Sequence, residues 1–394
     1  MKKRLLYYEI VKQLEHKNAL VITGLRQTGK TTIMQQIFSA TDAAKVWYDL
    51  ENPLDQMIFE EKDYKLIYRR LLREAQGKEK ERLFVFIDEI QNFPEITRIM
   101  KYLIDHYRVK FIVTGSSNFY LRNLFPESLS GRKFLYVLYP MDFREILYFN
   151  GTIGLEEALL PRDPGNIRND RVDHERRMEE YAAYMQYGGF PEVVTTGDET
   201  TKRLVLKNIF ASFFEKDLQV LSDIRNLREL RDLILLLVPR TGNILDVTRL
   251  AAELGVQRPK IYNYLEFLSG IFFLRLLPRF SRSIDRSVAG GRKLYFSDTG
   301  LLNLIGSVNE GQLFENVVAN QLVHYGMLQY YNKRNTSEID FILDGRTAFE
   351  VKLNGTLRDL EKVRYLSRKI GVRRSYLISK RYLDGEDVIS PVFL

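Results

Sequence analysis

The sequence predicts an α/β protein: a parallel sheet first, then a helical module, then a second, smaller α/β domain. Three observations predict it. From Lys2 to about Asn150, short β-rich runs alternate with helical stretches, the order that builds a parallel sheet. From Gly151 the text turns helical and charged, and Ile224 to Arg279 reads as helices joined by a short Gly turn. The C-terminal stretch brings a helix and two strands in close succession. At 394 residues the chain exceeds one compact core. Segments 1–150, 151–223, 224–296 and 297–394 are the expected divisions.

The first element decides the rest. An apolar run, Ala19–Thr23, is followed by Gly24 to Thr32, GLRQTGKTT, which fits the phosphate-binding loop G-x-x-x-x-G-K-[ST]. Two glycines, Gly24 and Gly29, let the backbone wrap so that N–H groups converge on phosphate oxygens. Lys30 reaches the β- and γ-phosphates, and the Thr31 hydroxyl binds Mg²⁺. Gln27, Thr28 and Thr32 complete the nucleotide-binding set. The helix that follows, Thr31 to Ser39, aims its positive end at the same anion. ATP and Mg²⁺ are therefore the expected ligands of a P-loop NTPase sheet.

Further strands are expected at Lys45–Leu50, Leu83–Ile87, Lys110–Thr114 and Phe134–Tyr139. The third ends LFVFIDE, the Walker B pattern, in which Asp88 holds Mg²⁺ through water and Glu89 polarises the attacking water. The fourth ends FIVTGSSN. Ser116 is the chosen γ-phosphate sensor, with Thr114 and Asn118 open and a plain turn the competing reading. In SLSGRKF, Arg132 reads as an arginine finger supplied in cis or to a neighbouring subunit, or else as a surface arginine beside a Gly turn.

These stretches, with VTGSS, GRKF and PMDFREIL, resemble the N-terminal half of a large family of AAA-type prokaryotic ATPases, related to signal-transducing and archaeal ATPases. GGFPEVV, KLYFSDTGLL, FENVVANQL and EIDFIL…FEVK resemble its C-terminal half, a conserved domain of unknown function. The resemblance covers nearly the whole chain. It implies a five-stranded ATPase core with the catalytic glutamate after Walker B.

From Gly151 to about Asp223 the chain reads as a helical lid or connector, with a sharp turn at Gly188-Gly189-Phe190-Pro191. In the next module, helices at Leu227–Leu237 and Leu245–Leu254 lead through Gly255 to a helix beginning near Pro259. Ile261, Leu265 and Leu268 share one face of it. With the apolar run Ile271–Leu277 behind it, this suggests a winged helix-turn-helix whose Arg258, Lys260, Asn263 and Tyr264 face DNA. Packing against a partner is the competing reading. The run Arg275 to Lys293, with Arg279, Arg282, Arg286 and Arg292, either tracks a phosphate backbone or is a charged linker.

The C-terminal stretch carries a second constellation. Glu315 lies in a helical stretch, Asp340 in the strand EIDFIL, and Glu350 and Lys352 in the strand after it. This E…D…E-x-K order resembles the PD-(D/E)XK nuclease fold, a restriction-endonuclease-like domain. Asp340 and Glu350 would hold Mg²⁺ while Lys352 positions water, with Glu315 approaching from its helix. Solvated charges on a plain hairpin are the bland alternative. Burying Ile339, Phe341 and Leu343 with Phe349, Val351 and Leu353 requires pair numbers with an even sum. A two-residue turn at Asp344-Gly345 would break that parity. A three-residue connection with Gly345 left-handed and a bulge is expected instead.

Composition narrows the function. There is no cysteine, so disulfides and thiolate metal sites are excluded, and four histidines leave little room for zinc. A net charge of +8 favours polyanionic partners. The longest apolar run near the middle, Leu233 to Val238, is too short to span a bilayer, and no segment reads as a signal peptide, so a cytoplasmic protein is expected. The leading reading is a Mg²⁺-dependent AAA-type ATPase that acts on DNA through a winged helix and a nuclease-like domain. Its rival is a nucleotide-gated regulatory switch whose C-terminal domain only binds a partner. The resemblance to AAA-type ATPases implies a ring-forming homo-oligomer, with a regulatory protein partner the alternative. A small-substrate kinase fits the loop but leaves the Asp-Glu pair and the C-terminal modules unexplained.

Overall fold

The computed structural model describes residues 2–78, 81–115, 131–214, 227–283, 287, 290–333 and 337–394. It divides into two compact units, Met1–Tyr139 with Gly270–Phe272, and Pro140–Ser269 with Phe273–Leu394.

In the first unit, β1 (Ala19–Thr23), β2 (Lys45–Asp49), β3 (Leu83–Asp88), β4 (Val109–Gly115) and β5 (Lys133–Val137) form a five-stranded sheet in the order β2-β3-β4-β1-β5. Every pairing is parallel. β1, β3 and β4 are buried along their whole length. That explains why they read as continuous apolar runs: helices cover both faces of the sheet. On one face Val21, Val85 and Val113 pack with Ile67 and Leu71 of α3 (Tyr64–Glu74) and Ile99 and Leu103 of α4 (Ile96–His106). On the other, Leu20, Ile22, Phe86 and Ile112 meet Ile10 of α1 (Leu5–Val11) and Ile33 and Ile37 of α2 (Lys30–Ala40). Each such aliphatic side chain contributes about 1.5–3 kcal/mol by leaving water.

The second unit opens with α5 (Phe143–Asn150), capped by Asp142, which accepts the Glu145 N–H at 2.9 Å. The long α6 (Arg171–Tyr187) stops at Gly188, where φ is +74°. The next glycine shows why the turn is sharp. A Cβ on Gly189 would lie 1.9 Å from the Met141 carbonyl oxygen, so only glycine lets the two backbones meet.

Then come α7 (Leu227–Leu237), α8 (Val247–Leu254) and α9 (Arg258–Gly270), followed by β6 (Leu274–Leu277) antiparallel to β7 (Lys293–Phe296). Gly255, at φ +67°, terminates α8 as the sequence predicts. Ile244 adds an isolated bridge to Lys293.

After α10 (Thr299–Ile305) and α11 (Glu310–Leu322), the strands β8 (Leu328–Lys333), β9 (Ser337–Leu343) and β10 (Thr347–Lys352) run antiparallel. α12 (Leu357–Ile370) crosses to β11 (Arg374–Ser379), which is parallel to β10, and β12 (Val388–Ile389) completes the sheet. No helix among the described residues is long and apolar enough to cross a membrane.

Candidate nucleotide site and the C-terminal carboxylate cluster

The loop between β1 and α2 has the backbone that its glycines allow. Gly24 takes φ +140°, and an added Cβ would lie 2.1 Å from the Leu138 carbonyl oxygen. Gln27 and Gly29 are also at positive φ, +59° and +95°. Gly29 caps α2 without a side chain, which leaves the first-turn N–H groups directed at the loop's concavity. Lys30 is buried, and its Nζ donates to the Gly24 and Leu25 carbonyls, each at 3.0 Å. The Thr28 hydroxyl donates to Leu25 O at 2.8 Å, so it closes the loop on itself. Thr31 and Thr32, half-buried, form the first turn of α2. Sequence reasoning missed Arg4. Its buried guanidinium donates to Thr28 O at 2.5 Å and Tyr139 O at 2.9 Å, fastening the loop from behind.

Because β3 and β4 are parallel neighbours, their C-terminal ends emerge beside each other. Thr114 donates its hydroxyl to Asp88 Oδ1, and the Thr31 hydroxyl also bonds to Asp88. Burial raises the Asp88 pKa, and the charges of Glu89 and Asp49 add to this against the two hydroxyls. Glu89 stands at φ +53°, and its N–H donates to Asp88 Oδ1 and Thr114 Oγ1, each at 3.2 Å. Gln91 donates to the Glu89 carboxylate. A buried carboxylate whose neighbours are hydroxyls and other carboxylates, next to the Thr31 hydroxyl, suits Mg²⁺. Ser116 and Asn118 lie outside the described residues; the position placed on Asp88 is Thr114.

Arg132 requires a correction. It immediately precedes β5, and its carbonyl accepts the Ala19 N–H at 2.8 Å, which places it at the start of β1. The phosphate loop is at the other end of that strand, about 16 Å away at 3.3 Å per residue. A finger acting in cis is therefore excluded. The guanidinium instead pairs with Asp105 at 2.7 Å.

In the second unit, the C-terminal hairpin has the predicted register. Leu343 pairs with Thr347, Ile342 with Ala348 and Phe341 with Phe349. Gly345 is left-handed at φ +66°, and so is Asp344 at +50°. Arg346 donates to Leu343 O at 2.9 Å yet stays out of the ladder, and this extra residue keeps the connection odd. Beyond Phe341 the Asp340 carboxylate takes over from the ladder by accepting the Val351 N–H at 2.8 Å. Lys352 Nζ lies 2.7 Å from Glu350 and 3.9 Å from Asp340. Strict alternation fails, because Ile342 and Ala348 are buried as fully as Phe341 and Phe349. Both faces of this sheet are covered.

The cluster has a member that the sequence did not reveal. Lys293, 2% exposed, comes from β7, and its Nζ lies 2.8 Å from Glu315, 2.9 Å from Glu338 and 3.6 Å from Asp340. Tyr295 donates its hydroxyl to Glu315 Oε1 at 2.5 Å. Burial opposes the charge on Lys293, but Tyr295, Glu315, Asp340 and Glu338 hold its pKa well above the ordinary lysine value. Burial, then the Asp340 charge, pushes Glu350 up to about 7. Among the described residues no three acidic or histidine side chains are arranged to hold a metal. In this arrangement Glu315, Asp340 and Glu350 do not fit a divalent cation, because ammonium groups satisfy them.

In the stretch read as helix-turn-helix, Arg258 and Asn263 are exposed on α9. Tyr264 is not. It is 2% exposed and donates to Glu229 at 2.9 Å, while Lys260 pairs with the same carboxylate. Tyr264 follows Ile261 by three residues, so it shares the apolar face. The exposed aromatic is Tyr262. Of the basic run, Arg282 lies against Gly371 at the end of α12, and Arg286 lies outside the described residues.

Residues 16–147 match a family model described as an AAA domain. This part of the chain is an AAA-type P-loop ATPase domain. Residues 178–311 and 310–386 match two models, each described as a domain of unknown function, DUF8612 and DUF4143. An uncharacterized protein of Methanocaldococcus jannaschii is 27% identical over 363 residues, 87% of this chain and 76% of that protein. One from Haemophilus influenzae is 26% identical over 392 residues, 94% and 92% of the two chains. Among solved structures, a Walker-type ATPase of Pyrococcus abyssi aligns over 76% of this chain and 94% of its own, with a TM-score of 0.48 and 13% identity.

Proposed function

We propose that the chain hydrolyses ATP at the phosphate loop and that its second unit engages DNA. The observation that carries this reading is the meeting of Thr31, Asp88 and Thr114 at one end of the sheet. The loop N–H groups and Lys30 hold the phosphates, and Glu89 polarises the attacking water. Mg²⁺, when bound by Thr31 and through Asp88, supplies positive charge to the phosphate oxygens. Thr114 orients Asp88 and the Glu89 backbone together.

For DNA, the support is the order of elements. Three helices and the β6–β7 hairpin, with Ile244 bridging Lys293, have the order of a winged helix-turn-helix; Arg258, Tyr262 and Asn263 are exposed on its second motif helix. The succession α11–β8–β9–β10–α12–β11 suits a nuclease-like fold. The rival reading, a nucleotide-gated switch whose second unit only binds, is favoured by the closed state of the carboxylate cluster around Lys293.

The test is ATP turnover with and without single-stranded, duplex and branched DNA, with strand cleavage followed in the same tubes. Stimulation by DNA supports the proposal. Tightly retained nucleotide with negligible turnover on every DNA supports the switch.

A further inference from the structure

We infer that Lys293 is the built-in cation of the C-terminal carboxylate cluster, so that this nuclease-like site takes no divalent metal. The inference deepens the reading of the second unit and stands whether or not that unit binds DNA.

Each carboxylate of the cluster already has an oxygen engaged by a donor of this chain. Glu315 Oε1 receives both the Lys293 ammonium, at 2.8 Å, and the Tyr295 hydroxyl, at 2.5 Å. Asp340 Oδ1 faces Lys293 at 3.6 Å, while Oδ2 accepts the Val351 N–H at 2.8 Å. Glu350 is held by Lys352 at 2.7 Å. Contacts of 2.7–2.9 Å are those of charge-assisted hydrogen bonds. A divalent cation would need the same oxygens at about 2.0–2.6 Å around itself, in the space the ammonium fills.

Nor is Lys293 free to withdraw. Its backbone pairs with Leu277 on one side and bridges Ile244 on the other. The neighbouring Arg292 carbonyl accepts the Leu245 N–H at 2.9 Å, and the Leu294 N–H donates to Asn243 at 3.1 Å. A buried lysine on a strand held from both sides has nowhere to move its charge but the carboxylates it meets. The ammonium ties β7 to α11 and β9, joining the helix–hairpin module to the C-terminal sheet.

The test is Mn²⁺ binding to the nucleotide-free full chain, read from the electron paramagnetic resonance of free Mn²⁺. Wild type and Asp340→Asn should bind the same amount. Lys293→Met should gain about one Mn²⁺ per chain, and the gain should vanish in Lys293→Met with Asp340→Asn. A wild-type site lost in Asp340→Asn or in Glu350→Gln would overturn the inference, as would a folded Lys293→Met protein with no gain. If Lys293→Met fails to fold, the comparison of wild type with the two carboxylate variants decides alone.

Discussion

The hydroxyl of Thr114, near the end of β4, donates to the carboxylate of Asp88 at the end of β3. Since the same hydroxyl accepts the Glu89 N–H at 3.2 Å, one side chain sets the position of both acidic residues. Thr114→Val keeps the shape and removes both bonds. We predict a fall in ATP turnover of roughly 10–100-fold, the usual effect of losing a group that orients a metal-side carboxylate. Steady-state hydrolysis beside nucleotide binding is the measurement. Unchanged turnover would remove Thr114 from the site.

Gly24→Ala tests the close approach of the loop to Leu138. A methyl group 2.1 Å from a carbonyl oxygen, at φ +140°, cannot be accommodated without moving the loop. The expected result is loss of measurable ATP binding together with destabilisation of about 1–3 kcal/mol, read by thermal unfolding. Wild-type affinity would contradict the geometry.

Much of this was legible in the sequence, for physical reasons. The strands of the first sheet are buried on both faces, so their runs stand out, and the phosphate loop's spacing is set by its backbone. The hairpin register was expected from an even pair sum together with a three-residue turn, and the pairing agrees although both faces of the sheet are buried. Two misreadings had signals that were present. A residue just before a parallel strand lies at the edge away from the loop, which disqualifies Arg132 as a finger in cis. Tyr264 stands at helical spacing from Ile261 and Leu268, which marks it as core. Lys293 was not legible. Its partners Glu315, Glu338 and Asp340 come from distant points of the chain, and only tertiary packing turns the end of a basic run inward. For Ser116 against Thr114, one or two residues at a strand tip decide which side chain faces the neighbouring strand, and composition does not.

Arg132 is left with one catalytic role, in trans. If a neighbouring copy uses it, Arg132→Ala should leave turnover unchanged at protein concentrations where the chain is monomeric. It should lower turnover by about 10³-fold or more where copies assemble. Turnover measured across a concentration series separates the cases. Equal rates throughout would leave Arg132 as the surface partner of Asp105.

Asp298 sets a pH dependence of stability. Its carboxylate accepts the N–H groups of Gly189 at 2.8 Å and Leu301 at 3.0 Å, joining the turn after α6 to the start of α10. Burial pushes its pKa up to about 6 from 3.8, against these hydrogen bonds. A raised carboxylate pKa means that the folded chain holds the proton more tightly than the unfolded chain. The stability it contributes is complete below about pH 4 and is lost as pH rises through about 6. Asp298→Asn should remove that part of the slope between pH 4 and 6 in denaturant midpoints. An identical slope in the variant would assign the dependence to other groups.

In the proposed function, Glu89 activates water for ATP hydrolysis beside a loop that holds the nucleotide. Single-turnover hydrolysis by Glu89→Gln, with bound ATP quantified in the same samples, tests it most directly. Retained ATP with hydrolysis slowed by about 10²-fold or more is the expected result. Hydrolysis at the wild-type rate in Glu89→Gln would remove Glu89 from the chemistry.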